Sequence, residues 1–253
     1  LPESLTQLVS LSEHLAHASE SDYEWFRQQL KDRYTSSKDD AAAMISEIYQ
    51  FLEEGNEEGL LAEMGFIQHE DLHSYRVLGG VCQGHVDMKW CPGVDFSAGS
   101  LGMGLSFGMG CALAARLDGS ERRAFVMLGD GEIQEGSIWE AAMAATHHEL
   151  GNLKVILDRN RIQNDDFCQQ QMRMFDIPAK WKAFGWDVKE IDGHNMEEVV
   201  NAIDWADQVT DGPACIVMHT VKGKGVSFME NNPKFHGAAP SEEQFELAME
   251  ELA

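Results

Sequence analysis

Leu128-Gly129-Asp130-Gly131-Glu132 follows directly on an apolar run over residues 124–128. That run predicts a short strand. In open α/β sheets, ligands bind beyond the carboxyl ends of the strands. An aspartate placed there between two glycines can reach a cation while the backbone stays clear of a large anion. A second segment, Leu157-Asp158-Arg159-Asn160-Arg161-Ile162, ends the next predicted strand, with Asn160 thirty residues beyond Asp130. Thirty residues is the length of one helical crossover between parallel strands. Two neighbouring strands would then offer a carboxylate and an amide oxygen to one ion. Mg²⁺ needs few protein oxygens when a diphosphate supplies others and water completes the octahedron.

The elements that must hold these groups are legible as an alternation. Strands are expected at 124–128, 153–157, 186–191 and 214–219, with helices at 137–150, closed by Gly151, and at 178–184. Asn195 is expected to cap a further helix, with Glu198 completing a capping box. Strands alternating with helices imply βαβ units and a doubly wound parallel sheet flanked by helices. Gly99, Gly102, Gly104, Gly108 and Gly110 lead into an Ala-rich stretch, which predicts a helix in close contact with another backbone. Residues 1–75 differ in texture. Leu5, Leu8, Leu11 and Leu15 recur at helical spacing, residues 39–52 read as a second helix, and residues 53–59 form an acidic turn. The expected organisation is a helical segment over 1–75 packed on an α/β domain over 76–253.

The chain has 253 residues, with 43 Asp and Glu against 19 Lys and Arg, a net charge of −24. That balance argues against nucleic acid or anionic membrane as partners, because Lys and Arg supply the affinity for both. It permits a phosphorylated ligand, since a bound divalent cation reverses the local field. Five scattered cysteines without paired spacing read as reduced thiols of a cytoplasmic protein. No apolar stretch reaches the roughly 18 residues of a membrane span. The sequence starts without a basic run followed by an apolar one, so no signal peptide is expected.

Gly129-Asp130-Gly131 followed by Asn160 resembles the diphosphate-binding motif of thiamine diphosphate enzymes, and the flanking segments resemble transketolases in particular. Gly84-His85, Pro92-Gly93-Val94-Asp95 and Gly99-Ser100-Leu101-Gly102-Met103-Gly104 are similar to one stretch of that family. Gly131 to Gly136 with Trp139-Glu140-Ala141, His219 to Gly225, and His236-Gly237 follow in family order. The likeness covers residues 80–240. It implies that Asp130, Asn160 and the Ile162 carbonyl hold Mg²⁺, with Ca²⁺ or Mn²⁺ able to substitute. It implies that the Gly131 backbone and Asn160 meet the diphosphate of thiamine diphosphate, and that Gly99 and Leu101 line its aminopyrimidine and linker. By the same resemblance His85 and His236 face the reacting centre. Glu135 lies at a contact between subunits, near the partner's cofactor, with Glu140 close by.

The activity implied is transfer of a two-carbon ketol unit from a ketose to an aldose, as sugar or sugar phosphate. In that family a second, pyrimidine-binding domain completes the cofactor site, and nothing in the 253 residues resembles it. The resemblance therefore implies the N-terminal subunit of a split transketolase. Its C-terminal partner subunit would carry the pyrimidine-binding domain, in a symmetric assembly such as α₂β₂. One departure stands out. The glycine-flanked histidine segments usual near the N-terminus of the family are not found before His85, and His14, His17, His69 and His73 lack the glycines. Two further readings stay open beside the transferase. One is a noncatalytic transketolase-like regulatory or binding protein. The other is a related thiamine diphosphate enzyme, deoxyxylulose phosphate synthase-like or dehydrogenase E1-like.

Overall fold

The computed structural model describes residues 61–62 and 65–252. The helical readings of residues 5–15 and 39–52, and the turn at 53–59, lie outside the described residues. The sheet among the described residues has four parallel strands: β1 (Ala124–Gly129), β2 (Leu153–Arg159), β3 (Asp187–Asp192) and β4 (Ala214–His219). Their spatial order is β1-β2-β4-β3. The helices are α1 (Gly104–Leu117), α2 (Gly136–His147), the single turn α3 (Cys168–Gln171), α4 (Ile177–Ala183), α5 (Met196–Gln208) and α6 (Glu242–Glu251).

The path of the chain explains which helix covers which face. It advances from β1 through α2 to β2, then through α3 and α4 to β3, and steps back through α5 to β4. A constant crossover hand puts the helix of a reversed step on the opposite face. Ile138 and Ala142 of α2 and Trp181 of α4 accordingly pack with Val126, Leu128, Val155, Leu157 and Val217. Val199, Ala202 and Ile203 of α5 pack on the other side with Met127, Ile216 and Met218. With both faces covered, β4 reads as an unbroken apolar run, Ala-Cys-Ile-Val-Met, buried at each of those positions. Lys154 of β2 is also fully buried. Its Nζ donates to the Val209 carbonyl at 2.6 Å, and burial pulls its ammonium down to about 8.

Two helix ends differ from the sequence reading. The helix expected to close at Gly151 ends at His147 instead. Glu149 takes the left-handed conformation (φ 52°), its N–H donates to the Thr146 carbonyl, and Leu150 N–H donates to that of Ala145. This is a Schellman closure made without glycine. Gly151 serves a different purpose: a Cβ there would lie 1.9 Å from the Thr210 carbonyl oxygen. Asn195 does cap α5, accepting from the N–H groups of Glu197 and Glu198. Glu198, however, does not reach back to the Asn195 backbone. It accepts from the Asp192 N–H at 2.9 Å and the Asn195 side-chain amide at 3.1 Å, so it ties β3 to the helix.

Among the described residues before α1 the chain runs mostly through turns, with a 3-10 helix at His69–Ser74. Leu61, Ile67, Cys82, Val86, Cys91 and Val94 form a small apolar cluster of their own there. None of the five cysteines is joined in a disulfide.

Candidate functional site

Asp130 follows the last residue of β1 and is 3% exposed. Its backbone N–H donates to the Asp158 carbonyl at 3.1 Å, so the sheet ladder continues to this residue. Oδ2 accepts from Arg161 N–H at 2.8 Å and Oδ1 from the Cys168 thiol at 3.3 Å. Burial raises the carboxyl to about 6, against the lowering effect of those two bonds. The same burial, with Asp130 beside it, pushes the Cys168 thiol up to about 12.

Asn160 stands just past β2. Its Nδ2 donates to Asp158 Oδ2 at 2.6 Å, and its Oδ1 accepts from Ile162 N–H at 2.9 Å. Asp158 thus fixes which way the Asn160 amide faces. Asp158 is held in turn by the Thr220 hydroxyl, just beyond β4. Ile162 is buried and pairs across a bridge with Phe167. The turn between Asn160 and Ile162 is made by Arg161 in the left-handed region, φ 71°.

A second group of residues lies against this one. Gly102 (φ 82°) fits where a Cβ would come within 2.5 Å of Ser137 Oγ and 2.7 Å of Glu135 Cβ. Its N–H donates to Glu132 Oε1 at 2.9 Å, while Glu132 Oε2 accepts from Gly129 N–H at 3.2 Å. Its carbonyl accepts from Ser137 Oγ at 2.9 Å. The buried Glu132 carboxylate therefore clasps the glycine loop to the end of β1. Gly99 (φ 123°) lies under the His85 imidazole, where a Cβ would meet Cγ at 2.7 Å. Leu101 and Glu135 are exposed, as is Glu140 on α2.

Of the residues singled out in the sequence, the structure brings Asp130, Asn160 and Ile162 together. It joins Gly99 to His85, and Gly102 to Glu135. His236 closes the 3-10 helix Pro233–Phe235 in the segment after β4 and is half-buried. Glu132, Asp158, Thr220, Cys168 and Gln163 were missed. Glu132 sits next to Gly131, and Asp158 two residues before Asn160. Proximity to the motif is the one signal either offered, and it does not distinguish a clasp from a solvated acid.

Gln163 packs its Cβ where a Cβ on Gly131 would come within 2.8 Å. Its Oε1 is buried without a hydrogen-bond partner. A buried amide oxygen without a donor, next to further oxygens on Asp130, Asn160 and Ile162, is chemistry that fits a hard divalent cation. Among the described residues no helix is long and apolar enough to cross a membrane.

A parallel sheet with an acid and an amide at the carboxyl ends of adjacent strands, and a glycine loop clasped beside them, defines an α/β diphosphate-binding domain. Residues 31–253 match the family described as "Transketolase, thiamine diphosphate binding domain", and the chain belongs to that family. It is 37% identical over 227 residues to one subunit of the apulose-4-phosphate transketolase of Phocaeicola vulgatus, covering 90% of this chain and 76% of that protein. It is 38% identical over 192 residues to a 6-deoxy-6-sulfo-D-fructose transketolase subunit of a Clostridium species, covering 76% of this chain and 70% of the relative. The transketolase structure from Campylobacter jejuni superposes with a TM-score of 0.67 at 30% identity, over 72% of this chain. The present chain spans 30% of that structure's length.

Proposed function

We propose that the chain is the cofactor-binding subunit of a two-chain transketolase, which moves a two-carbon ketol unit from a ketose to an aldose. The observation that carries this reading is the oxygen cradle at the ends of β1 and β2. Asp130 and Asn160 are each oriented there by bonds from their own chain. The names of the Phocaeicola and Clostridium relatives, each a transketolase subunit, support a partner chain. Thiamine diphosphate, when bound, supplies the carbon nucleophile that accepts the ketol unit and passes it on.

The residues of this chain have separate tasks in that reading. Asp130, the Asn160 amide oxygen and the Ile162 carbonyl hold Mg²⁺, for which Mn²⁺ or Ca²⁺ can stand in. The Gly131 backbone meets the diphosphate. Gly99 and Leu101 lie along the rest of the cofactor, and Glu135 faces the partner subunit. His85, stacked on Gly99, and His236 bind sugar hydroxyls and move protons at the reacting carbon. The partner subunit brings the pyrimidine-binding domain, and the two chains assemble as α₂β₂ in a reducing cytoplasm.

The test is to purify the chain with the partner that co-purifies with it and to measure ketol transfer between sugars and sugar phosphates. Turnover by the pair, absent from either chain alone and lost in Asp130→Ala, is the expected result. A pair that binds thiamine diphosphate with Mg²⁺ but turns over no sugar supports the second reading, a regulatory protein that keeps the diphosphate cradle.

A further inference from the structure

The segment after β4 carries His236, and its root is held from two sides. On one side the Thr220 hydroxyl bonds to Asp158, which also takes the Asn160 amide. On the other, Val221 N–H donates to His194 Nε2 at 2.8 Å. His194 lies in the turn between β3 and α5. Its own N–H donates to Asp192 Oδ1 at 2.9 Å, and the Gly193 N–H donates to the His219 carbonyl at 2.9 Å. A Cβ on Gly193 would lie 2.5 Å from Thr220 Cγ2, so the glycine lets this turn close onto the root.

Beyond the root the segment is bonded to itself. Lys224 N–H donates to the Val221 carbonyl, and Asn231 N–H to that of Lys222. Asn232 donates its side-chain amide to the Phe228 carbonyl at 2.9 Å and accepts from Lys234 N–H at 3.2 Å. The Phe228 ring stands edge-on to Phe235, with centroids 5.3 Å apart, and His236 N–H donates to the Pro233 carbonyl. A loop whose ends are joined and whose own side chains pack its interior moves as one body, so a shift at Val221 is carried to His236. A further tie, from Ser227 to Glu251 of α6, is exposed to solvent.

We propose that His194 is a positioning residue for His236: by accepting the Val221 N–H it fixes the root of the arm whose far end carries that histidine. An imidazole nitrogen that accepts a backbone N–H is unprotonated, so His194 does this as the neutral ring. The Asp158 carboxylate joins the same root to Asn160, so one set of bonds aligns the arm with the cation cradle. The inference rests on the transketolase reading, in which His236 acts on the sugar.

The experiment measures hydrogen exchange over residues 221–236 in the full chain, and ketol transfer and thiamine diphosphate affinity in the chain with its co-purifying partner. His194→Ala is expected to speed exchange at the Val221 amide and along the arm. It should lower kcat roughly 10- to 100-fold, as a displacement of about 1 Å at a reacting group does. Affinity for thiamine diphosphate with Mg²⁺ should stay that of wild type, because Asp130 and Asn160 keep their own bonds. His194→Gln, which can present an amide oxygen to the Val221 N–H, should restore most of both losses. If His194→Ala leaves either the exchange of the arm or kcat unchanged, the inference fails while the transketolase reading stands. A fall in kcat that is matched by an equal loss of cofactor affinity and is not restored by glutamine makes His194 a structural residue only, and also overturns it. A wild-type pair that transfers no ketol unit overturns the transketolase reading and this inference with it.

Discussion

At Asp130, burial and ligand chemistry pull in opposite directions. A carboxyl raised to about 6 from an ordinary 3.8 holds its proton more tightly in the folded chain than in the unfolded one. Its contribution to stability is therefore complete below pH 3.8 and is lost as the pH rises through about 6. That loss amounts to about 3 kcal/mol at neutral pH. A bound cation takes over from the proton, so the stabilisation that Mg²⁺ with pyrophosphate confers should grow between about pH 5 and about pH 7.5. Thermal melts across that range check this, and Asp130→Asn should flatten the trend. Asp130→Ala removes the one carboxylate among the proposed ligands and should weaken metal-dependent pyrophosphate binding by at least about 100-fold, read by calorimetry.

At the scale of elements, the site depends on how the glycine loop before α1 is fastened to β1. Glu132 satisfies two backbone N–H groups from two different segments. Truncating it leaves both donors buried without their acceptor, at about 1–3 kcal/mol each. Glu132→Ala should speed hydrogen exchange at the Gly102 amide and weaken thiamine diphosphate binding, although no atom of Glu132 is proposed to touch the cofactor. Glu132→Gln, which keeps one acceptor, should recover part of both effects. Gly102→Ala combines a left-handed backbone with a clash at 2.5 Å and should cost about 1–3 kcal/mol, measured as a lowered Tm. Away from the site, Asn195→Ala removes the α5 cap and should cost about 1 kcal/mol with no effect on ligand affinity.

At the scale of the whole molecule, the surface along α1 and α2 carries several exposed apolar side chains. Met103, Leu117 and Met143, on or at the ends of α1 and α2, are 46%, 88% and 54% exposed, and Leu101 on the glycine loop is 53% exposed. Met103, Phe107, Ala114 and Leu117 recur at helical spacing along α1. In the proposed assembly these residues are covered by a partner. Hydrogen exchange across α1 should slow when the partner chain is added, and Ala114→Arg should lower the assembled mass seen by light scattering while the isolated chain melts as before. An α1 whose exchange is unchanged in the complex would place the contact between subunits elsewhere.

Much of this could be read in the residues, for identifiable reasons. Strand and helix alternation shows in local apolar runs, and the four parallel strands appeared where those runs lie. The Gly129-Asp130-Gly131 turn and Asn160 were visible because a strand end followed by glycine is a local pattern. What stayed hidden was every property that depends on two distant segments meeting. The sequence does not say that β4 lies between β2 and β3, because pairing order is decided by long-range packing of both sheet faces. It does not show Thr220 holding Asp158, 62 residues away, or Glu132 reaching Gly102 across 30. Nor does it show that Glu149, and not Gly151, turns the end of α2. Local composition determined the elements and the chemistry available at their ends. The tertiary structure alone decided which groups are buried and which face each other, and hence that burial holds the Asp130 carboxyl above its ordinary range.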